Sequence, residues 1–366
     1  MCIRDSFKVS KDWEITIPSW RPDISINEDI VEEVVRIYGL NNIKSEPLLN
    51  KQQPSKPILT DEQKNLRLIR RAIASRGLLE TISYSFINEE DAKNYGGGKN
   101  SLKIINPISE ELSDMRPTPL ASIINIADEN SKRGYEDLGI FELGPGFSGK
   151  SEDDQILIAS GIRSGTYKLE RFGKDWQGSE KVDVFDVKKD VTSVLEEIGI
   201  NNQKIKIKNS APKFYHPGRS GQILSKKGEI IANFGEIHPK IIKEKDLNVA
   251  VGFEIFLDCI NLLLDKKLIQ TAPEIYNLQP VRRDFSFVVN NEVSAQTIIE
   301  AAMKSDNKLI QNVKIFDQFL NDKNKSIAIE ITIQQTDHTL TDSELEDISL
   351  KVINSVESAT KGKLRS

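Results

Sequence analysis

The stretch RRDFSFVVN, residues 282–290, opens the most regular part of the sequence. It is rich in phenylalanine and valine and predicts a β-strand. The periodicities after it predict a helix, two strands, a second helix and a short final strand, at 294–305, 312–319, 325–334, 341–360 and 361–366. This β-α-β-β-α-β order over residues 275–366 is that of the ferredoxin-like fold.

The predicted strand at 325–334 indicates two different sheet faces. Its isoleucines occupy every second position, with Ile327, Ile329, Ile331 and Ile333 alternating with Ala328, Glu330, Thr332 and Gln334. One face should therefore carry the helices while the other meets solvent. A solvent-facing sheet of this kind can bind RNA, and Arg282 and Arg283 are candidates to contact phosphates. A salt bridge explains the two arginines equally well.

Residues 60–270 carry a mixed pattern of strands and helices. Thr60 and Gln63 have the spacing of a capping box, and the apolar stripe after them predicts a helix that ends at Gly77. The segment LLETISYSFI, residues 78–87, predicts a strand, and further strands follow with scattered helices between them. Because no regular βαβ rhythm occurs, we expect an α+β core on a largely antiparallel sheet.

Five carboxylates lie within eleven residues where a loop leads into a predicted helix at 28–38. They are Asp23, Glu28, Asp29, Glu32 and Glu33. Hard divalent cations bind carboxylate oxygens in loop-and-helix arrangements of this kind. Acidic residues are also favoured in any first helical turn, and polar helix faces are usually solvated. The pattern alone favours a solvated face over a metal site.

The overall composition of the 366-residue chain is that of an ordinary soluble protein, with a net charge of −5. That charge argues against wrapping nucleic acid by bulk electrostatics. No apolar run in the sequence is long enough to cross a membrane. Cys2 and Cys259 lie too far apart for a disulfide framework or a zinc motif, so we expect a cytoplasmic protein.

Two histidine-proline pairs, YHPGRSG around His216 and GEIHP around His238, are further candidates for chemistry. They allow a pair of catalytic groups with Arg219 as an anion contact. The simpler interpretation, which we favour, is that proline and glycine shape two turns in which the histidines hydrogen-bond locally.

Composition also divides the chain into segments. Residues 1–6, MCIRDS, resemble the translation of a sequencing-library adapter rather than a signal peptide, which indicates a C-terminal fragment of a longer chain. Residues 7–45 form a first small domain, and the proline-rich segment 46–59 predicts a linker. The core is then expected over 60–270 and the ferredoxin-like domain over 275–366.

In this order the segments resemble the C-terminal portion of the bacterial phenylalanyl-tRNA synthetase beta subunit family. The resemblance covers nearly the whole chain after residue 6 and rests on PSWRPDISINEDIVEEVVRIYGLNNI, RGLLETISYSF, NPISEELSDMRPTPL, GIFELGPGF, VDVFDVKKDV, YHPGRSG, FGEIHP and PVRRDFSFVV through TLTDSELEDISLKV. It implies a small acidic domain, a catalytically silent class II synthetase-like core and a ferredoxin-fold anticodon-binding domain. In GIFELGPGF, Pro145 stands where the family commonly carries arginine.

The resemblance also implies function and partners. The family forms a heterotetramer of two alpha and two beta chains that uses ATP to attach phenylalanine to tRNA(Phe), with catalysis on the alpha subunit. It implies a magnesium ion, shared with the alpha subunit, on Asp23, Asp29, Glu32 and Glu33, and it leaves Glu28 outside the pattern. The family's editing domain lies upstream of the segments matched here.

Two other functions remain open from the sequence. The chain could be a free-standing RNA-binding or scaffold protein that reuses a synthetase-like core without an alpha partner. A magnesium-dependent hydrolase that uses the acidic cluster is the more remote alternative, because no nucleophile or general base accompanies the carboxylates.

Overall fold

The computed structural model describes residues 7–46, 57–166, 180–200, 205–263, 275–321, 324–335 and 338–365. The chain divides into two compact units, Met1–Leu263 and Leu264–Ser366. The predicted adapter scar at 1–6 and most of the predicted linker at 46–59 lie outside the described residues, as does the predicted end of the core at 270.

The first domain is a short hairpin followed by one helix. Strands β1 (Lys8–Val9) and β2 (Ile15–Thr16) pair antiparallel, and helix α1 spans Asn27–Tyr38, which confirms the predicted helix. The helix ends at Gly39, whose positive φ of 94° suits a residue without a side chain.

The apolar stripe of α1 is not buried in the part of the chain that the structure describes. Val31, Val34 and Ile37 are each more than half exposed, although their spacing is that of a core-facing stripe. A pocket of about 410 Å³ opens on this side of α1, and hairpin side chains such as Phe7 and Trp13 also line it. The first domain therefore presents a continuous apolar surface.

The core is built on one large sheet. Its elements are, in chain order, α2 (Asp61–Ser75), β3 (Leu79–Glu80), β4 (Phe86–Ile87), α3 (Glu89–Asn94), β5 (Asp114–Met115), α4 (Pro119–Ser131), β6 (Leu138–Phe147), β7 (Gln155–Ser164), α5 (Val184–Glu197), β8 (Ile205–Lys208), β9 (Tyr215–Ser225), β10 (Ile230–Ile237), α6 (Pro239–Glu244), β11 (Ala250–Phe256) and α7 (Leu257–Leu263). Seven strands form the sheet in the order β3-β6-β7-β11-β10-β9-β8, and only the β3–β6 pair is parallel. The prediction of a largely antiparallel α+β core is confirmed.

Local sequence explains where the core helices begin. Thr60 Oγ1 accepts a hydrogen bond from Gln63 N, and the Gln63 side chain accepts one from Thr60 N, so the predicted capping box of α2 is present. Helix α4 begins with a proline at its first position and packs against β6, β7 and β11. Its side chains Leu120, Ile123 and Ile124 are fully buried and form the centre of this hydrophobic core.

The prediction of one continuous strand over residues 78–87 is wrong. Strand β3 pairs with β6 for two residues only, and β4 pairs instead with β5 in a separate small sheet. The two strands are separated where Thr81 N donates to the Phe141 carbonyl and the Ser83 hydroxyl donates to the Glu142 carboxylate. Both bonds hold residues 81–83 against β6, and only after them do Phe86 and Ile87 pair with β5, a tertiary effect that β-propensity does not encode.

A buried ion-pair network joins three elements of the core. Asp190 on α5 accepts hydrogen bonds from Arg163 Nε on β7 at 2.6 Å and from Arg76 Nε, just after α2, at 3.0 Å. The Asp190 side chain is 1% exposed, so its charge is balanced almost entirely by these guanidinium groups. The network fixes the end of α2 against the sheet and α5.

The last domain has the predicted ferredoxin-like order. Its elements are β12 (Val281–Asn290), α8 (Ala295–Ser305), β13 (Ile310–Leu320), β14 (Asn324–Ile333), α9 (Asp342–Thr360) and β15 (Lys363–Leu364). The strands form one antiparallel sheet in the order β13-β14-β12-β15.

The two faces of this sheet largely match the prediction. The alternating isoleucines of β14 are buried against α8 and α9 in a separate hydrophobic core. On the other face, Ala328, Glu330 and Thr332 are partly exposed. Gln334 is an exception to the predicted alternation, because it is buried and donates to the Leu278 carbonyl at 2.9 Å.

Candidate functional sites

The loop before α1 brings one arginine between two of the predicted metal ligands. Arg21 Nη2 lies 2.7 Å from Asp23 Oδ2 and 2.8 Å from Glu33 Oε1. Arg36, one turn along the helix, reaches the other oxygen of Glu33 at 2.8 Å. These hydrogen bonds hold the pKa of Asp23 below its usual range and lower the pKa of Glu33 to about 2, in each case chiefly through Arg21.

The other two predicted ligands lie in different surroundings. Asp29 Oδ2 accepts hydrogen bonds from the backbone N–H groups of Ser25 at 2.7 Å and Ile26 at 3.0 Å, which lowers the pKa of Asp29 and satisfies donors at the start of α1. Glu32 is exposed on the helix surface.

The donor chemistry of the four carboxylates suits magnesium, but their arrangement does not form a metal centre. Magnesium prefers hard oxygen ligands, and these side chains supply only such atoms. Within the described ranges, however, no three acidic, histidine or cysteine side chains are placed to hold one ion. Arg21 joins Asp23 to Glu33, Asp29 caps the helix, and Glu32 lies apart. The oxygen atoms of the four carboxylates therefore suit magnesium, but the positions of these side chains do not.

The large core contains a buried arginine whose donors are engaged by the chain itself. Arg116 is 1% exposed, and its Nη2 lies 2.8 Å from Glu142 Oε1. Its Nη1 donates to Ser83 Oγ at 2.9 Å and its Nε to the Pro145 carbonyl at 3.1 Å. This guanidinium is thus committed to internal bonds and is not presented to a phosphate. Pro145 itself lies in β6, where its carbonyl is one of these partners.

A second buried polar cluster surrounds Glu254 on β11. The carboxylate accepts hydrogen bonds from Thr118 Oγ1 at 2.6 Å, Asn233 Nδ2 at 3.1 Å and the Tyr215 hydroxyl at 3.3 Å. Burial still raises the pKa of Glu254, because loss of hydration outweighs these three donors. The polar side chains of this cluster bond to one another, as expected for a network with a structural role.

The two histidine-proline pairs have local roles. His216 Nδ1 accepts hydrogen bonds from the backbone N–H groups of Gly218 at 3.0 Å and Arg219 at 3.2 Å. His238 precedes α6 and its Nδ1 accepts from Lys240 N at 3.2 Å. Arg219 forms a salt bridge with Glu236. The predicted local hydrogen bonds of the histidines are confirmed, but the predicted turns are not, because His216 lies within β9 and His238 is the residue that caps α6.

The candidate RNA contacts Arg282 and Arg283 lie on opposite faces of the last sheet. In the β12–β14 register Arg282 is opposite Thr332 on the open face, whereas Arg283 is opposite Ile331 on the helix side. Both arginines are exposed, and Arg282 Nη1 lies 3.8 Å from Glu330 Oε2. A ligand on the open face would therefore contact only the first of them.

Sequence reasoning missed two features of these surfaces. Arg21 was not singled out, although an arginine two residues before an aspartate in RPD is a visible signal for a local ion pair. Phe319 was counted only as part of a strand, yet it is 58% exposed and lies opposite Ser326 on the open face. An exposed aromatic ring there provides a surface on which a base can stack.

Comparison with protein-family models assigns each part of the chain. Residues 47–257 match the phenylalanyl tRNA synthetase beta chain CLM domain. The chain belongs to the phenylalanyl-tRNA synthetase beta chain family. Residues 4–40 match the tRNA synthetase B5 domain, and residues 277–365 match the ferredoxin-fold anticodon binding domain. The resemblance of this beta chain to the family, seen in the sequence, is confirmed. The predicted α+β fold is confirmed as well.

Curated relatives agree with this family. Proteins named phenylalanine–tRNA ligase beta subunit from Bartonella henselae and Bradyrhizobium diazoefficiens are each 41% identical and cover 96% of this chain. The chain spans 44% and 45% of their lengths, less than half of each relative. Among solved structures, a pyrrolysyl-tRNA synthetase from Desulfitobacterium hafniense is 13% identical, with a TM-score of 0.42. The aligned region covers 64% of this chain and 74% of the pyrrolysyl-tRNA synthetase chain. No helix in the described ranges is long and apolar enough to span a membrane.

Proposed function

We propose that this chain is part of the beta subunit of a phenylalanine-tRNA ligase, which supports ATP-dependent attachment of phenylalanine to tRNA(Phe) in the cytoplasm. The observation that carries the proposal is the 41% identity to proteins of that name over 96% of the chain. The guanidinium of Arg116 and the carboxylate of Glu254 form hydrogen bonds within the core. This supports the proposal that catalysis takes place on an alpha subunit.

An alpha subunit is the proposed protein partner, in a heterotetramer of two alpha and two beta chains. Support comes from exposed apolar side chains in the segment between β3 and β5, where Ile82, Ile105 and Ile108 are at least 87% exposed. Exposed apolar side chains mark a surface that binds another protein when they form one patch.

The partner is tested by size-exclusion chromatography of the full-length beta subunit mixed with its alpha chain, followed by an assay of phenylalanine transfer to tRNA(Phe). Ile82→Asp should weaken the complex, whereas Ile58→Asp, at an equally exposed position outside this segment, should not. If no complex forms at any concentration, the heterotetramer is rejected and a free-standing RNA-binding or scaffold protein becomes the better hypothesis.

We also propose that Asp23, Asp29, Glu32 and Glu33 hold magnesium together with the alpha subunit, on the strength of the family pattern and their oxygen donors. Glu32→Gln is the sharpest test, because this exposed side chain neither caps α1 nor pairs with Arg21. The matched control is Glu28→Gln on the same helix, outside the pattern. Only the first variant should raise the magnesium concentration needed for subunit association; equal behaviour of both variants would reject this ligand.

The open face of the last sheet is the proposed tRNA contact. Arg282→Gln should weaken binding of tRNA(Phe), because it removes a cation from that face, whereas Arg283→Gln on the opposite face should not. The two variants change net charge equally, so a difference in affinity, measured by filter binding with the full-length subunit, reports position alone. Equal weakening of tRNA binding by both variants would contradict the proposal that tRNA contacts the open face.

A further inference from the structure

The segment that forms β8, β9 and the turn after β9 carries positive charge without any acidic residue. Residues 205–228 contain no aspartate or glutamate, although the whole chain has 55 acidic against 50 basic residues. The basic residues of the segment are Lys206, Lys208, Lys213, Arg219, Lys226 and Lys227. The core therefore has a local basic surface that the net charge of −5 does not reveal.

Two of these lysines lie on the same side of β8, which is an edge strand of the large sheet. Lys208 is opposite Gln222 in the β8–β9 register, whereas Ile207 is opposite the fully buried Ile223. Because side chains alternate along a strand, Lys206 and Lys208 share the face opposite to that of Ile207, with Cα atoms about 7 Å apart. Both lysines are exposed.

The turn after β9 adds two lysines beside this strand. Ser225 N donates to the Glu229 carbonyl at 2.8 Å, and Ser225 is opposite Ile205 at the start of β8. Lys226 and Lys227 follow directly and are exposed, so they lie next to the end of β8. We call the four exposed lysines of β8 and this turn the basic edge: Lys206, Lys208, Lys226 and Lys227.

The lysines of the basic edge form no ion pair with any residue that the structure describes. Arg219 on β9 differs from them, because it forms a salt bridge with Glu236. Glu229, the first acidic residue after the segment, accepts a hydrogen bond from the Ser225 hydroxyl at 3.2 Å. Four exposed ammonium groups are thus available to an external anion.

The composition of the basic edge suits a phosphate backbone better than a protein surface. Lysine is depleted at protein–protein interfaces, whereas lysine and polar amide side chains make many of the contacts to phosphate and sugar. Asn209, exposed directly after β8, adds such an amide. Lysines on an edge strand also prevent pairing with another sheet, but this explanation does not account for the two lysines of the turn.

We infer that the basic edge binds the phosphate backbone of tRNA, as a contact on the core in addition to the open face of the last sheet. This inference rests on the proposed tRNA role and assigns it a second surface. Lysine contacts to phosphate position an RNA but carry no sequence information. The basic edge should therefore strengthen the binding of tRNA(Phe) and of a noncognate tRNA equally, and less so as salt increases.

The test measures tRNA affinity and its salt dependence in the full-length beta subunit assembled with its alpha partner. In filter binding from about 50 to about 200 mM salt, Lys206→Gln combined with Lys208→Gln should weaken binding about tenfold at the lowest salt. The slope of log affinity against log salt should become shallower by about 1.5, because two phosphate contacts are lost.

Two further variants control for charge and for folding. Lys150→Gln combined with Lys243→Gln removes two exposed lysines elsewhere in the core, so it changes net charge equally and should leave affinity nearly unchanged. Lys206→Arg combined with Lys208→Arg keeps both charges and should retain tRNA binding. Circular dichroism of each variant verifies that the complex remains folded.

The outcomes separate this inference from the proposed open face. If Arg282→Gln weakens binding while the Lys206 and Lys208 glutamine variant behaves like its control, the open face stands and the basic edge is rejected. If that variant instead loses the alpha chain, or only aggregates, with tRNA affinity unchanged, the lysines bind protein or protect the strand edge, and the inference is overturned. If the unsubstituted complex binds no tRNA, the proposed function fails and the inference fails with it.

Discussion

At the scale of single residues, the core depends on buried charges that are balanced inside the protein. Asp190 is the clearest case, since one carboxylate of 1% exposure contacts two arginines from different elements. Breaking such a pair from one side is costly because it leaves uncompensated buried charge. The sequence shows these residues as widely separated polar positions and gives no sign of their contact.

Asp190→Asn should destabilise the core by about 3–5 kcal/mol, because the arginines lose the carboxylate but keep their charge. Urea unfolding followed by circular dichroism gives the change in free energy. Asp61→Asn is the control, since the Asp61–Lys64 pair lies at the surface with Asp61 82% exposed. A loss no larger than that of the control would contradict the role of Asp190.

The buried carboxylate of Glu254 should make the free energy of unfolding decrease as pH rises. Burial raises the pKa of Glu254 above its unfolded value, so the folded state binds more protons between the two values. Its contribution to stability is therefore greatest at low pH and is lost as pH rises through the folded pKa.

Glu254→Gln should remove that loss, because a neutral amide of the same shape can still bond Thr118 and Asn233. Urea midpoints measured between pH 5 and pH 8 should fall less with rising pH in this variant than in the unsubstituted chain. Glu129→Gln, exposed on α4, serves as control and should leave the slope unchanged. The same slope in all three proteins would refute the assignment.

At the scale of secondary-structure elements, local signals set most boundaries correctly. Helix α1 and the capping box of α2 follow from periodicity and from residues within four positions of each other. The prediction of one strand over 78–87 is wrong because its first part pairs with β6 and its last part with β5, which lie about sixty and about thirty residues further along the chain. Element prediction therefore worked where the determining contacts were local.

Helix α9 offers a test of such a local contact. Thr341 Oγ1 accepts from Glu344 N, and the Glu344 carboxylate accepts from Thr341 N at 2.8 Å, which completes a capping box. Thr341→Ala should destabilise the last domain by about 1 kcal/mol. Thermal unfolding of this variant is compared with Ser343→Ala, an exposed position in the same turn. Equal effects of the two substitutions would show that the cap contributes nothing.

At the scale of the whole molecule, net charge limits how the proposed tRNA ligand can be held. A chain with net charge −5 has an excess of negative charge that does not steer a polyanion, so we expect binding to depend on few contacts. The plot of log affinity against log salt should therefore be shallow, and Arg282→Gln should reduce its slope by about 0.7. Filter binding at salt concentrations from about 50 to about 200 mM measures this slope directly. An unchanged slope would exclude Arg282 as a phosphate contact.

The sequence by itself determined the order of elements in the last domain, its ferredoxin-like fold, the family and the spacing of the acidic residues. These properties follow from periodicity, capping and short motifs, which are local in the chain. Only the tertiary structure decided that Arg21 occupies the acidic loop, that Arg116 is engaged internally, and that Arg282 and Arg283 face opposite ways. The physical reason is that charge pairing, burial and strand register are set by residues brought together through folding, and spacing along the chain does not specify them.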